Sequence, residues 1–120
     1  MKIRIKGDSI RFRLTRTEVE KLCSEGYIEE KTPFASNNFT YAVQKRNDPY
    51  LNATFIGNTI ILHIPANLLE GWDRNDLVGF EHRMDLGEKG SLFLLLEKDF
   101  VCLDQRNDDQ SDQYPNPKAL

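Results

Sequence analysis

Apolar and charged residues alternate through the opening stretch "MKIRIKGDSIRFRLT". Met1, Ile3 and Ile5 alternate with Lys2, Arg4 and Lys6, and Ile10, Phe12 and Leu14 alternate with Arg11 and Arg13. A period of two marks strands with one buried face. Gly7-Asp8 between the runs suits a two-residue hairpin turn, because glycine at the first turn position accepts positive φ. That turn pairs Ile5 with Ile10, Ile3 with Phe12 and Met1 with Leu14, which puts every apolar residue on one face.

The period then lengthens. In "TRTEVEKLCSEG", Thr15 and Glu18 form a capping-box pattern, Val19, Leu22 and Cys23 share a helix face, and Gly26 is a stop. Strands are predicted over 27–32 and 39–45, separated by "PFASNN".

The same order recurs from "NATFIGNTIILHIP" onward. Phe55 and Ile60 flank a Gly57-Asn58 turn, and Ile60, Leu62 and Ile64 alternate. Pro65 opens a short predicted helix, "PANLLEGW". After "DRND" come two strands, "LVGFEHRM" and "SLFLLLEK", joined by "DLGEKG". The last is too apolar for a half-exposed strand and belongs in the middle of a sheet.

At an offset of fifty, Gly7 meets Gly57, Ile10 meets Ile60, Phe12 meets Leu62, Leu14 meets Ile64, Val19 meets Leu69 and Leu22 meets Trp72. Identity is weak, but the order of hairpin, helix and two strands occurs twice. The expectation is a mainly β (α+β) domain of about eight strands and two short helices. Its two ββαββ repeats would pack as a pseudo-twofold barrel or sandwich. The predicted globular domain is 1–103, with halves 1–50 and 51–103, followed by an acidic irregular C-terminal tail, 104–120.

Composition agrees with a soluble globular domain: 120 residues, 39% hydrophobic and 29% charged. The apolar runs "TIILHI" and "LFLLL" fall far short of the ~20 residues of a membrane-spanning helix. The opening residues lack the apolar core of a secretory signal, so a cytoplasmic protein without membrane contact is expected. Cys23 and Cys102 lie outside any Cys-x-x-Cys motif and read as reduced thiols.

Net charge is −3, distributed unevenly. Residues 1–50 hold 10 basic and 7 acidic groups, 51–100 hold 4 and 8, and 101–120 hold 2 and 4.

Two resemblances bear on identity. The whole chain resembles a group of uncharacterised short bacterial proteins, a domain of unknown function. They open with a KIRIKG-S-R-RLT segment and end with an EKDFVCLD…D-YPNP block, which here read "KIRIKGDSIRFRLT" and "EKDFVCLDQRNDDQSDQYPNP". That resemblance implies no activity. In the second half, "NTIILHIPANLLEGWDRNDLVGFE" resembles the AbrB-type swapped-hairpin barrel unit. The shared features are a strand ending in Ile-Pro, a short helix and a polar turn before the next strand. The family's turn usually reads Gly-Asp; here it is Asn75-Asp76. The resemblance implies a small dimeric DNA-binding fold, but Ile61 and His63 stand where that family carries basic residues.

The chemistry lies mainly in the first hairpin. Its register sets Lys2 opposite Arg13 and Arg4 opposite Arg11, with Lys6 beside the turn. Like charges placed opposite one another cost tenths of a kcal/mol to about 1 kcal/mol. Such a face either protects a sheet edge or binds an anion through charge-assisted bonds. The candidate anion-binding set is Lys2, Arg4, Lys6, Arg11, Arg13 and Arg16. Alternatively, Asp104, Asp108, Asp109 and Asp112 of the tail neutralise the ribbon from within the chain.

The sequence has no Gly-x-Ser-x-Gly elbow, no glycine-rich phosphate loop and no calcium-loop spacing. His63 and His82 have no partner at metal-ligand spacing. No catalytic residue, metal or cofactor is therefore assigned. His63 is expected to be solvated on the outer face of its strand, and Trp72, at the end of the second helix, to plug the core.

The expected function is a non-catalytic binding or regulatory module. An anionic protein or small anion ranks ahead of nucleic acid as its partner, and a homodimer is possible. One alternative is a small enzyme with a cleft between the halves. Another is an assembly subunit associating through a sheet edge.

Overall fold

The computed structural model describes residues 1–100 and 111–115. The elements follow the order that the hydrophobic pattern lays out. The first half contains β1 (Lys2–Lys6), β2 (Ser9–Leu14), α1 (Arg16–Glu25), β3 (Tyr27–Pro33) and β4 (Asn38–Arg46). The second contains β5 (Asn52–Ile56), β6 (Thr59–Pro65), α2 (Ala66–Leu69), β7 (Gly79–Asp85) and β8 (Ser91–Lys98).

The halves interleave. One sheet runs β1-β2-β8-β7 and the other β3-β4-β6-β5. Each opening hairpin is completed by the closing strand of the other half, with β2 parallel to β8 and β4 parallel to β6. The equivalence extends to single hydrogen bonds. Phe93 N donates to Asp8 O at 2.8 Å, and its counterpart Thr40 N donates to Asn58 O at 2.9 Å. Lys98 N donates to Val78 O at 2.9 Å, and Lys45 N to Gly26 O at 2.8 Å.

Both sheets share one core. Phe12, Leu14, Leu94 and Leu96 of the first sheet meet Val43, Leu62 and Ile64 of the second, with Val19, Leu22 and Trp72 closing the ends. Burying each such side chain is worth about 1.5–3 kcal/mol. The architecture is a sandwich of two open sheets, so the barrel alternative is replaced. Side chains bridge the seams where a barrel would continue its ladder. At the β1–β3 seam the Met1 ammonium binds Glu18 and Glu30. At the β5–β7 seam Ala53 N donates to the Met84 thioether at 3.4 Å.

The first helix forms as its pattern predicts. Thr15 and Glu18 complete a capping box, and Gly26 ends the helix in the left-handed region at φ 80°. The second helix is shorter than predicted. Pro65 is the last residue of β6, α2 covers only Ala66–Leu69, and Trp72 lies in the turn beyond. Trp72 is fully buried, as expected of a core plug, and its indole donates to Leu77 O at 2.8 Å.

The described part of the tail docks on the body. Asp112 O accepts from Arg16 N, and Tyr114 N donates to Asp99 O, each at 2.9 Å. Among the described residues no helix is long and apolar enough to cross a membrane.

Candidate functional site: a cationic sheet face

Strand alternation sends one side chain in two to the outside of the β1-β2-β8-β7 sheet. The ladders order these outward residues in rows across the strands. One row is Lys2, Arg13, Glu97, Gly79; the next is Arg4, Arg11, Leu95, Glu81; the third is Lys6, Ser9, Phe93, Arg83. The hairpin register is the one predicted, with Lys2 opposite Arg13 and Arg4 opposite Arg11.

Carboxylates from β8 and the residue after it reach into this ribbon. Arg11 Nε and Arg13 Nε both donate to Glu97 Oε1, at 2.7 and 2.9 Å. Lys2 Nζ lies 3.2 Å from Asp99 Oδ2, and Gln113 Nε2 donates to the same oxygen at 3.0 Å. Arg4 and Lys6 carry no ion pair among the described residues. Shallow hollows of about 340 and 180 Å³ open over the ribbon, and Arg4 and Arg11 line both.

Five of the six sequence-predicted cations therefore share one face. Arg16 belongs elsewhere: its guanidinium sits 5.3 Å from the centre of the Tyr114 ring. Asp112 also leaves the ribbon alone. It accepts from Thr17 Oγ1 at 2.5 Å and Thr17 N at 3.3 Å, at the start of α1. Asp104, Asp108 and Asp109 lie outside the described residues. Sequence reasoning missed Glu97, Asp99, Phe93 and Leu95. Their only signal is the β2–β8 pairing, which no local pattern encodes.

The histidines take structural positions. His63 is 4% exposed, not solvated as expected. Its Nδ1 lies 2.7 Å from Asn52 Oδ1, and Asn52 Nδ2 donates to Asp48 Oδ2 at 3.0 Å. Burial first, then the Arg46 charge, hold its imidazole below the ordinary range. His82 stacks on Tyr50 with ring centres 4.8 Å apart. Among the described residues no group of three or more His, Cys, Asp or Glu is placed to hold a metal.

A cleft does exist between the halves, of about 330 Å³, lined by Cys23, Lys45, Glu70, Asp73 and Arg74 among others. Burial pushes the Cys23 thiol up, and its Sγ donates to Leu69 O at 3.4 Å.

Fold and site together define an interleaved, two-sheet β sandwich with one cationic outer face. The chain belongs to a family of unknown function, DUF7009, whose model matches residues 1–118. No curated protein and no solved structure matches it.

Proposed function

We propose that this protein is a non-catalytic binding module that takes an anionic partner on the outer face of the first hairpin. The observation that carries the reading is Arg4 and Lys6, two cations without a carboxylate among the described residues, beside the opposed Arg11. Arg11 and Arg13 give only their Nε donors to Glu97. Their terminal Nη donors have no partner among the described residues and suit paired bonds to a carboxylate or phosphate. Glu97 orients the two forks, which lowers the ordering cost of binding. A net charge of −3 and the nearby Glu81, Asp85 and Glu97 favour a protein or small-anion partner over nucleic acid. The AbrB-type resemblance lends nothing to a DNA reading, because the cations sit in the other half.

The test is a thermal melt of wild type beside Arg4→Ser/Arg11→Ser, at several salt concentrations, with a panel of polyanions, acidic peptides and nucleotides. An anion that raises the wild-type melting temperature and leaves the variant unmoved supports the reading. If no anion stabilises the wild type and the variant melts at the same temperature or higher, the charges serve edge protection.

A second reading rests on β5. Of the four edge strands, it alone carries no charge, and at its end Phe55 and Ile56 are 68% and 75% exposed. Uncharged edges invite strand-to-strand association. Sedimentation velocity of wild type and Ile56→Lys tests it: a concentration-dependent dimer lost in the variant supports association there.

A further inference from the structure

The outer face of the first sheet holds an apolar strip among its cations. Phe93 and Leu95 of β8 stand in the same rows as Lys6 and Arg4, next to Ser9 and Arg11. They are half-buried by their neighbours, and among the described residues no helix or strand covers them. A sandwich normally turns polar residues outward at such positions.

The second sheet shows that the fold does not require them. The β4–β6 ladder repeats the β8–β2 ladder, so Thr40 corresponds to Phe93, Ala42 to Leu95 and Gln44 to Glu97. Likewise Asn52, Thr54 and Ile56 of β5 correspond to Lys2, Arg4 and Lys6. On β6, Ile61 and His63 correspond to Arg11 and Arg13. On the last strand the charges are kept, Glu29 and Lys31 of β3 standing where Glu81 and Arg83 stand on β7. The contrast lies in the other three strands, which carry uncharged residues and a small centre in the second sheet, and cations beside a large apolar centre in the first. The first hairpin's cations and the apolar residues of β8 come from different halves of the chain and meet only in the folded protein.

From this juxtaposition we infer that the face binds an acidic peptide segment carrying an apolar anchor residue. The inference rests on the anion-binding reading and specifies its partner. The anchor covers Leu95 and Phe93, while neighbouring carboxylates meet Arg4, Lys6 and Arg11. Adjacent strands are about 4.8 Å apart, and same-side residues of an extended peptide recur about every 7 Å. An acid two positions from the anchor therefore reaches the β1–β2 cations. On the other flank, the Arg83 guanidinium lies over Phe93, 5.5 Å from the ring centre. The apolar strip therefore has a cation on each side. Nucleic acid fits less well, because Glu81 and Glu97 in these rows repel a continuous phosphate backbone.

The test is calorimetric titration of the full-length protein with four probes. These are an acidic peptide with a central leucine, the same peptide with serine in its place, inorganic polyphosphate, and a short single-stranded oligonucleotide. The leucine peptide is expected to bind about tenfold more tightly than the serine peptide, the share of affinity that one buried leucine side chain supplies. Leu95→Thr is expected to erase that difference while leaving polyphosphate binding unchanged. Arg4→Ser is expected to weaken every probe. Independently of any variant, the Leu95 methyl signals of wild type are expected to shift on adding the leucine peptide. Equal binding of the two peptides with unmoved Leu95 methyls overturns the inference and leaves the anion-binding reading standing. Tighter binding of the oligonucleotide that Leu95→Thr does not affect overturns it in favour of nucleic acid. Failure of all four probes to bind overturns both.

Discussion

Arg11 and Glu97 stand 86 positions apart in the chain and meet at 2.7 Å across the β2–β8 junction. The contact joins the first hairpin to the last strand, and Arg13 shares the same carboxylate oxygen. One anion thus holds two guanidiniums in a fixed arrangement that neither β1 nor β2 supplies.

Glu97→Gln keeps the side-chain shape and removes the charge that offsets Arg11 and Arg13. The variant is expected to lose about 1 kcal/mol at low salt, a loss that shrinks as salt screens the arginines. Urea unfolding at low and physiological ionic strength measures it. Equal midpoints for both proteins at low salt would contradict the assigned role.

Gly79 faces Glu97 in the β7–β8 ladder, and the strands close on it tightly. A Cβ there would overlap Leu96 O and stand 2.7 Å from Glu97 Cα, both backbone atoms that cannot step aside. Gly79→Ala is therefore expected to cost about 3 kcal/mol or to prevent folding. A wild-type denaturation midpoint for the variant would rule out this close approach.

His63 makes stability depend on mildly acidic pH. Its folded-state pKa lies below the ordinary value of 6.5, so the unfolded chain takes up the proton first as pH falls. Full stability is kept above 6.5 and declines below it, until pH passes the folded-state value. His63→Gln is expected to flatten that part of the curve. Parallel melting-temperature profiles for the two proteins would show that another group is responsible.

Asp112 acts in the same sense at lower pH. Hydrogen bonds from Thr17 hold its carboxyl below the ordinary 3.8, so its contribution is present above that value and lost as pH falls through the folded-state pKa. Asp112→Asn is expected to cost about 0.5 kcal/mol at neutral pH and low salt, by removing a negative charge from the start of α1. A melting curve indifferent to the substitution would detach this residue from the helix.

What the sequence disclosed divides by range. Elements fixed by neighbours were legible: the Gly7-Asp8 hairpin with Arg4 opposite Arg11, the Thr15–Glu18 capping box, and the Gly26 stop. The second helix was misjudged because its pattern continues to Trp72, whereas the chain leaves helical geometry at Glu70 and turns at Gly71, where φ is +74°. His63 was misjudged because strand alternation marks a side chain as outward without saying whether Asn52 and the Arg46–Asp48 pair close in beside it. The carboxylate of the site was out of reach for a related reason. Parallel pairing of β2 with β8 is set by packing of the whole core, and no short-range periodicity records which residue arrives opposite Arg13.

The interleaved sheets also determine what symmetry the molecule can have. Two identical subunits built on this plan would show the cationic ribbon on both outer faces or on neither. With both halves on one polypeptide, the tether fixes one hairpin of each kind per particle. The buried sides of the two sheets stay alike while their outer sides differ. The result is a polarised particle: the Arg4–Arg11 side responds to ionic strength, and the corresponding positions on the other side, Thr54 and Ile61, have no charge with which to respond.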